Sequence, residues 1–198
     1  GPNVVKTVTH ENVTSEELGG AHTHATKSGV THFACANEVE CIENIKKLLS
    51  YMPQNCEEDA PCYEYTTTDE QRPGLNNIIP ENPNQPYDIK EVIAEITDTD
   101  SFLEVQREYA ENIVVGFARL GGRSIGIVAN QRKIVKSGKG EMQMGGVIYN
   151  DSADKSARFI MNCNQKKIPL VFLQDVTGIM VGSRSEHSGI IKDGGKMV

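Results

Sequence analysis

Apolar positions along the chain recur at two different periods. In NEVECIENIKKLLSYM, Val39, Ile42, Ile45, Leu48 and Leu49 fall three and four apart and Pro53 closes the segment, which predicts an amphipathic helix. YDIKEVIAEITD repeats the pattern: Asp88 offers an N-cap, and Ile89, Val92, Ile93 and Ile96 share one face. The period then changes. NIVVGFARLGGRSIGIVANQ holds two β-rich runs around Leu120-Gly121-Gly122-Arg123, and the paired glycines supply the positive φ that a tight reversal demands, so strand, turn and strand are expected. DSADKSARFIMNCNQKK returns to helical spacing, with Asp151 or Ser152 as the cap and Ala157, Ile160, Met161 and Asn164 along one face. IPLVFLQDV is a continuous apolar run, expected as a strand covered on both faces. Strand pair, helix and strand together describe an α/β fold with helices layered on a sheet.

Between the first two helices the pattern lapses. Residues 54–86 carry five prolines, many acids and no sustained periodicity, which reads as a linker or long surface excursion. A boundary there divides the chain into 1–53 and 87–198. No repeat of fixed period connects the two parts.

Composition narrows the function classes. With 198 residues the chain can bury a substantial core, and no apolar run approaches the roughly 20 residues of a membrane span. Twenty-seven acids against 20 bases leave a net charge of −7 without a basic run, which argues against a nucleic-acid partner. The five cysteines (Cys35, Cys41, Cys56, Cys62 and Cys163) are odd in number and lack CxxC spacing, so reduced thiols in an intracellular compartment are expected rather than a disulfide framework or a zinc site. His22, His24 and His32 have no acidic or cysteine companion at ligand spacing, and no metal is expected.

Three phrases, taken together, resemble one family. GPNVVKTVTHENVTSEELGGAHTHATKSGVTH, PYDIKEVIAEITDTDSFLEVQREYAENIVVGFARLGGRSIGIVANQ and ARFIMNCNQKKIPLVFLQDVTGIMVGSRSEHSGIIKDGGKMV look like the carboxyltransferase (β) subunit of biotin-dependent acyl-CoA carboxylases, the propionyl-CoA and 3-methylcrotonyl-CoA carboxylase group. The likeness follows the family's order over nearly the whole chain. It implies a crotonase-like (ClpP/crotonase) α/β fold of stacked ββα units. Residues 1–53 would end an N-terminal subdomain, 54–86 link, and 87–198 begin a C-terminal subdomain. It further implies a homohexamer, a short-chain acyl-CoA as substrate, carboxybiotin carried by a biotin carboxylase or carrier partner, and a cytoplasmic or mitochondrial-matrix location. The family's two glycine-rich oxyanion segments would lie before Gly1 and after Val198, so the chain is expected to be the middle of a longer polypeptide without a catalytic side chain of its own. A decarboxylase subunit of a sodium-pumping complex, or a piece acting only in binding and assembly, are the alternatives.

The resemblance also assigns residues. Carboxyl transfer develops negative charge on a thioester enolate and on the biotin ring, and pairs of backbone N–H groups can hold such charge. QDVTGIMVG is a glycine-rich turn suited to that role, which places Thr177, Gly178, Ile179, Gly182 and Gly189 on the biotin side. The plainer reading is that a strand-to-helix turn needs glycine with or without a ligand; its place after an apolar strand favours the ligand, because open α/β sheets bind beyond strand carboxyl ends. The stretch from Tyr87 to Gly121 is the one assigned to acyl-CoA. Most of its apolar residues read as core, and Arg107, Tyr109, Asn112 and Arg119 are the candidates for CoA or acyl contact. Lys192 and Asp193 read as a solvated helix face.

Overall fold

The structure, a computed structural model, describes residues 1–65, 72, 74–138 and 140–198. The first part is helical: α1 (Pro2–Thr9), α2 (Ser15–Gly19), α3 (Ala21–Thr23) running into a π-helical turn (His24–Ser28), and α4 (Glu38–Leu49). Two further helices, α5 (Leu75–Ile78) and α6 (Ile89–Ile96), precede the strands β1 (Leu103–Val105), β2 (Ile113–Leu120) and β3 (Arg123–Asn130). Short strands β4 (Val135–Lys136), β5 (Met142–Gln143) and β6 (Val147–Ile148) lead to α7 (Asn150–Gln165), β7 (Leu170–Leu173), β8 (Gly178–Ile179), α8 (Ser183–His187) and α9 (Ile190–Gly195).

The main sheet runs β1-β2-β3-β7. Its first two pairings are antiparallel and β3 pairs with β7 in parallel, α7 making the crossover. β2, β3, α7 and β7 thus form the strand-strand-helix unit expected of the fold. The hairpin turns at Gly121 (φ 59°) and Gly122 (φ 77°), where their amides donate to the two carboxylate oxygens of Asp98 at 2.9 and 2.8 Å. Positive φ at both central positions matches the right-handed twist of the strands it joins.

Alternation along β2 explains the layering. Ile113, Val115 and Phe117 pack with Phe159 and Cys163 of α7, while Val114 and Ala118 pack with Ile89 and Ile93 of α6. The hairpin strands are therefore the ones covered on both faces. β7, expected to be covered so, is an edge strand with Phe172 54% exposed. A continuous apolar run reports a strand but not which neighbours reach it.

Two helices sit as predicted and two details differ. Asp88 caps α6, accepting from the Lys90 amide at 3.0 Å, and Asn37 caps α4, accepting from Glu40 at 3.0 Å. α7 begins earlier than expected: Tyr149 is the N-cap, and Ser152 is the third helical residue, accepting from the Tyr149 amide at 2.8 Å. Of the expected face, Ala157 is buried and Ile160 packs against the core, but the buried face extends to other positions. Ser152, Lys155, Ser156, Phe159 and Cys163 point inward and Met161 outward, because small hydroxyls allow the helix to approach the sheet closely. On α4, Val39, Ile42, Ile45 and Leu49 are exposed, although the helix itself forms where their spacing placed it.

Several ties hold the first part to the sheet. Gln106 donates from its amide to His32 O (3.0 Å) and from its side chain to Gly29 O (2.6 Å), and Lys47 Nζ donates to Asp100 O (3.2 Å). Part of the 54–86 excursion lies on the hairpin tip: Cys62 bridges to Arg123, and the Tyr63 amide donates to Gly122 O at 2.9 Å. Residues 66–71 and 73 of that excursion lie outside the described residues.

Candidate functional site

The turn after β7 is an exposed feature at the carboxyl end of the parallel pair. Thr177 donates its amide to Gly146 O (2.7 Å) and Met180 to Ile148 O (2.8 Å), so the short parallel pair β6–β8 fixes the backbone on one side. On the other side Asp175 Oδ2 accepts from Tyr87 Oη at 2.7 Å and lies 3.5 Å from Arg132 Nε. Burial, and then the neighbouring Asp175 carboxylate, push the Tyr87 hydroxyl up to about 12, so it donates rather than ionises. A Cβ placed on Gly178 or Gly182 meets no atom within 4 Å, which leaves open space along the turn. Gly189 opens α9, and the neighbouring Ser188 carbonyl accepts from Asn150 Nδ2 at 3.1 Å.

Thr177, Ile179 and Gly182 are thus exposed and Gly178 half-buried, all within a span of six residues beyond the end of β7. Asp193, read as solvated, is instead buried. It accepts from Asn150 at 2.9 Å and from Lys196 at 3.1 Å, and the Asn150 bond leads the interactions that hold its carboxyl below the usual range. Lys192 is exposed as expected.

The four residues assigned to acyl-CoA are dispersed. Arg107 is exposed, 4.0 Å from Glu104. Tyr109 is half-buried, its ring lying over Gly29, and burial pushes its hydroxyl up. Asn112 is buried at the start of β2, where Nδ2 donates to Val147 O (2.7 Å) and Oδ1 has no partner among the described residues. Arg119 lies at the other end of that strand, about 23 Å along an extended backbone from Asn112. Its guanidinium sits between the rings of Tyr51 and Tyr63, 4.4 and 4.5 Å from their centroids, and donates to Ser50 Oγ at 2.8 Å. Arg119→Lys is expected to lower stability by about 1–2 kcal/mol, read from the urea midpoint, because an ammonium cannot stack flat between two rings while bonding Ser50.

The histidines do not converge: His22 pairs with Glu108 at 3.3 Å and His24 with Ser28 at 2.8 Å. His32 is held low by burial and then by the Arg158 charge. Among the described residues no group of three or more metal-ligating side chains is assembled, and all five cysteines are free thiols.

Sequence reasoning missed the groups that act at a distance in the chain. Lys155, on α7, is 1% exposed, and its Nζ donates to Tyr109 O (2.6 Å), Ala110 O (3.3 Å) and Ile113 O (2.9 Å). The run of Ser152, Ser156 and Ala157 around it was the available signal, since small residues mark a helix face pressed against something. Two clefts were likewise invisible. One, of about 580 Å³, is walled by Asn77, Glu81, Tyr87, Asp88, Glu91 and Lys133, a carboxylate-rich surface that suits no phosphate. The other, of about 240 Å³, has Phe33, Val105, Phe117 and Phe159 within and Arg158 and Lys166 on its lining.

A mixed four-stranded sheet with helices on the two faces of its hairpin, whose last strand runs out into a glycine turn, defines an α/β domain. The Carboxyl transferase domain family matches residues 1–198, and the chain belongs to that family. Its relatives include the biotin-dependent acetyl-/propionyl-coenzyme A carboxylase beta5 subunit of Mycobacterium tuberculosis (strain CDC 1551 / Oshkosh), 46% identical over 207 residues, covering 100% of this chain and 36% of the relative. The methylmalonyl-CoA decarboxylase subunit alpha of Veillonella parvula is 46% identical over 202 residues, covering 100% and 37%. A solved transcarboxylase 12S, described as a hexamer assembly with methylmalonyl-coenzyme A and methylmalonic acid bound, superposes with a TM-score of 0.90 at 42% identity, over 100% of this chain and 37% of that one. The chain therefore spans little more than a third of the length of these relatives.

Proposed function

We propose that the chain is part of the carboxyltransferase component of a biotin-dependent acyl-CoA carboxylase, moving a carboxyl group from carboxybiotin to the α-carbon of a short-chain acyl-CoA, propionyl-CoA foremost. The observation that carries this reading is identity of 42–46% along the whole chain to acetyl-/propionyl-CoA carboxylase subunits, in company with the same fold in a transcarboxylase. By the same reading the assembled protein is a homohexamer, served by a biotin carboxylase and a biotin carrier.

The turn from Thr177 to Gly182, with Gly189 behind it, is assigned to the biotin side. It fits a flat ureido ring because the space beside Gly178 and Gly182 is open and a side chain at either position would fill it. Biotin, when bound, would supply the carboxyl group and a ring nitrogen able to take the α-proton. The chain itself would orient and enclose: the Thr177 and Met180 amides are committed to carbonyls of 146 and 148, which keeps the intervening backbone in one conformation without reorganisation during transfer. Arg107, Tyr109, Asn112 and Arg119 are assigned to the acyl-CoA side. Arg107, exposed and only loosely paired with Glu104, would reach a phosphate directly, and Asn112 and Arg119 would act by holding the two ends of β2.

The decarboxylase relative supports a second reading, in which the carboxyl group leaves the acyl-CoA for biotin in a sodium-pumping complex. The purified complex decides between them. ATP-dependent incorporation of labelled bicarbonate into propionyl-CoA is expected; sodium-stimulated loss of CO2 from methylmalonyl-CoA without ATP dependence would establish the second reading. Turnover by these 198 residues alone would overturn the expectation that both oxyanion segments lie outside them.

A further inference from the structure

The turn is anchored through a group that neither the resemblance nor the family match assigns. Asp175 immediately precedes Val176-Thr177-Gly178, and its carboxylate faces a hydroxyl and a guanidinium from distant parts of the chain. Tyr87, the residue before the α6 cap, donates at 2.7 Å, and Arg132, beyond β3, lies at 3.5 Å. Both groups are themselves held. The Gln131 side chain accepts from the Ile89 amide (3.3 Å) and the Arg132 amide (2.9 Å) and donates to Asp88 (2.8 Å), while Lys133 pairs with Asp88 at 2.8 Å. Arg132 Nη2 donates to Pro83 O at 3.3 Å. Arg132 also passes so close to Gly145 and Gly146 that a Cβ on either would stand 2.1 or 2.3 Å from it. Gly146 in turn accepts the Thr177 amide at 2.7 Å. Arg132 therefore reaches the turn twice, once through Asp175 and once through the backbone of Gly146.

We infer that Asp175 is a positioning residue, clamped between Tyr87 and Arg132, which sets the orientation of the Thr177–Gly182 backbone and through it the binding of biotin. The inference rests on the assignment of the turn to biotin. One hydrogen bond from the phenol and one ion pair with the guanidinium meet at the carboxylate, so removing either the negative charge or the phenol hydrogen bond releases the turn from one side while leaving the β6–β8 pairing intact.

The test uses the full-length chain, methylmalonyl-CoA as carboxyl donor and free biotin as acceptor. The carboxyl group leaves the α-carbon for the biotin ring nitrogen, and the proton displaced there goes to that α-carbon, giving propionyl-CoA. Tyr87→Phe and Asp175→Asn are each expected to raise KM for biotin roughly tenfold with KM for methylmalonyl-CoA unchanged. The double variant is expected to be no worse than the more severe single one, since the two groups act through one bond. Tyr87→Phe keeps the ring in place and serves if Asp175→Asn fails to fold. Unchanged biotin KM in the variants, or equal rises in both KM values, would overturn the inference. Gly178→Val separates the two levels: if it raises biotin KM while the clamp variants do not, the clamp falls and the turn's assignment stands. If Gly178→Val spares biotin binding, the assignment falls and the inference with it.

Discussion

Gly178→Val in the full-length chain is expected to reduce carboxyl transfer by about a hundredfold, the scale on which a misplaced reacting group acts, while acyl-CoA affinity measured by calorimetry stays within about twofold. The reason is local. A Cβ at Gly178 meets no protein atom within 4 Å, so an isopropyl group would occupy the open side of the turn rather than collide with the core, its cost confined to local backbone strain at φ 158°. Thr177 and Met180 on either side retain their bonds to Gly146 and Ile148. Transfer should therefore be lost without the fold, and circular dichroism with a melting curve checks that. Equal loss of transfer and acyl-CoA affinity would place the turn in general folding instead.

Lys155→Met is expected to produce the largest stability change, a loss of about 3 kcal/mol or more at pH 10 by urea denaturation, where shedding the buried amine's proton on folding costs little. The substitution preserves length and leaves three carbonyls of the 109–113 segment without their donor, two of those bonds being fully buried. That segment contains Ala110 at φ 45°, and Gln106 precedes it at φ 51°, conformations that persist only where the surroundings hold them. A pH signature accompanies the change. Burial pulls the Lys155 ammonium from 10.5 down to about 7, the Glu104 carboxylate opposing it. The unfolded chain thus binds the additional proton between about pH 7 and 10.5. Lys155's contribution to unfolding free energy rises with pH across that window, by at most about 4–5 kcal/mol, and is lost as pH falls through about 7. The Met variant lacks this slope, so the difference between the two proteins at pH 7, 8.5 and 10 isolates it.

Legibility differed by element. α4, α6 and the β2–β3 hairpin could be read directly because each is specified by residues within one window: a cap, a repeat of three and four, or a glycine pair. α7 was located but only part of its inward face, Ala157 and Ile160, was read, since the rest carries two serines and a lysine that no hydrophobic pattern marks. β7 was located but its burial overestimated, because an edge strand and a central one can carry the same residues. The glycine turn could be read as a candidate site from its composition and place. Its anchor could not, since Tyr87, Arg132 and Asp175 stand 45 and 43 residues apart in succession and none is unusual in its own neighbourhood.

By itself the sequence determined the α/β class, helices α4 and α6 with the Asp88 cap, the hairpin, the lack of a basic run and the family resemblance, all of which depend on local spacing or on order along the chain. Only the tertiary structure decided which strands are covered, that Asp193 is buried, that Arg119 lies between two tyrosines, and that Lys155 and the Asp175 clamp exist. These are pairings between remote segments, and their energies arise from burial and hydrogen-bond geometry that come into being when the sheet closes on its helices.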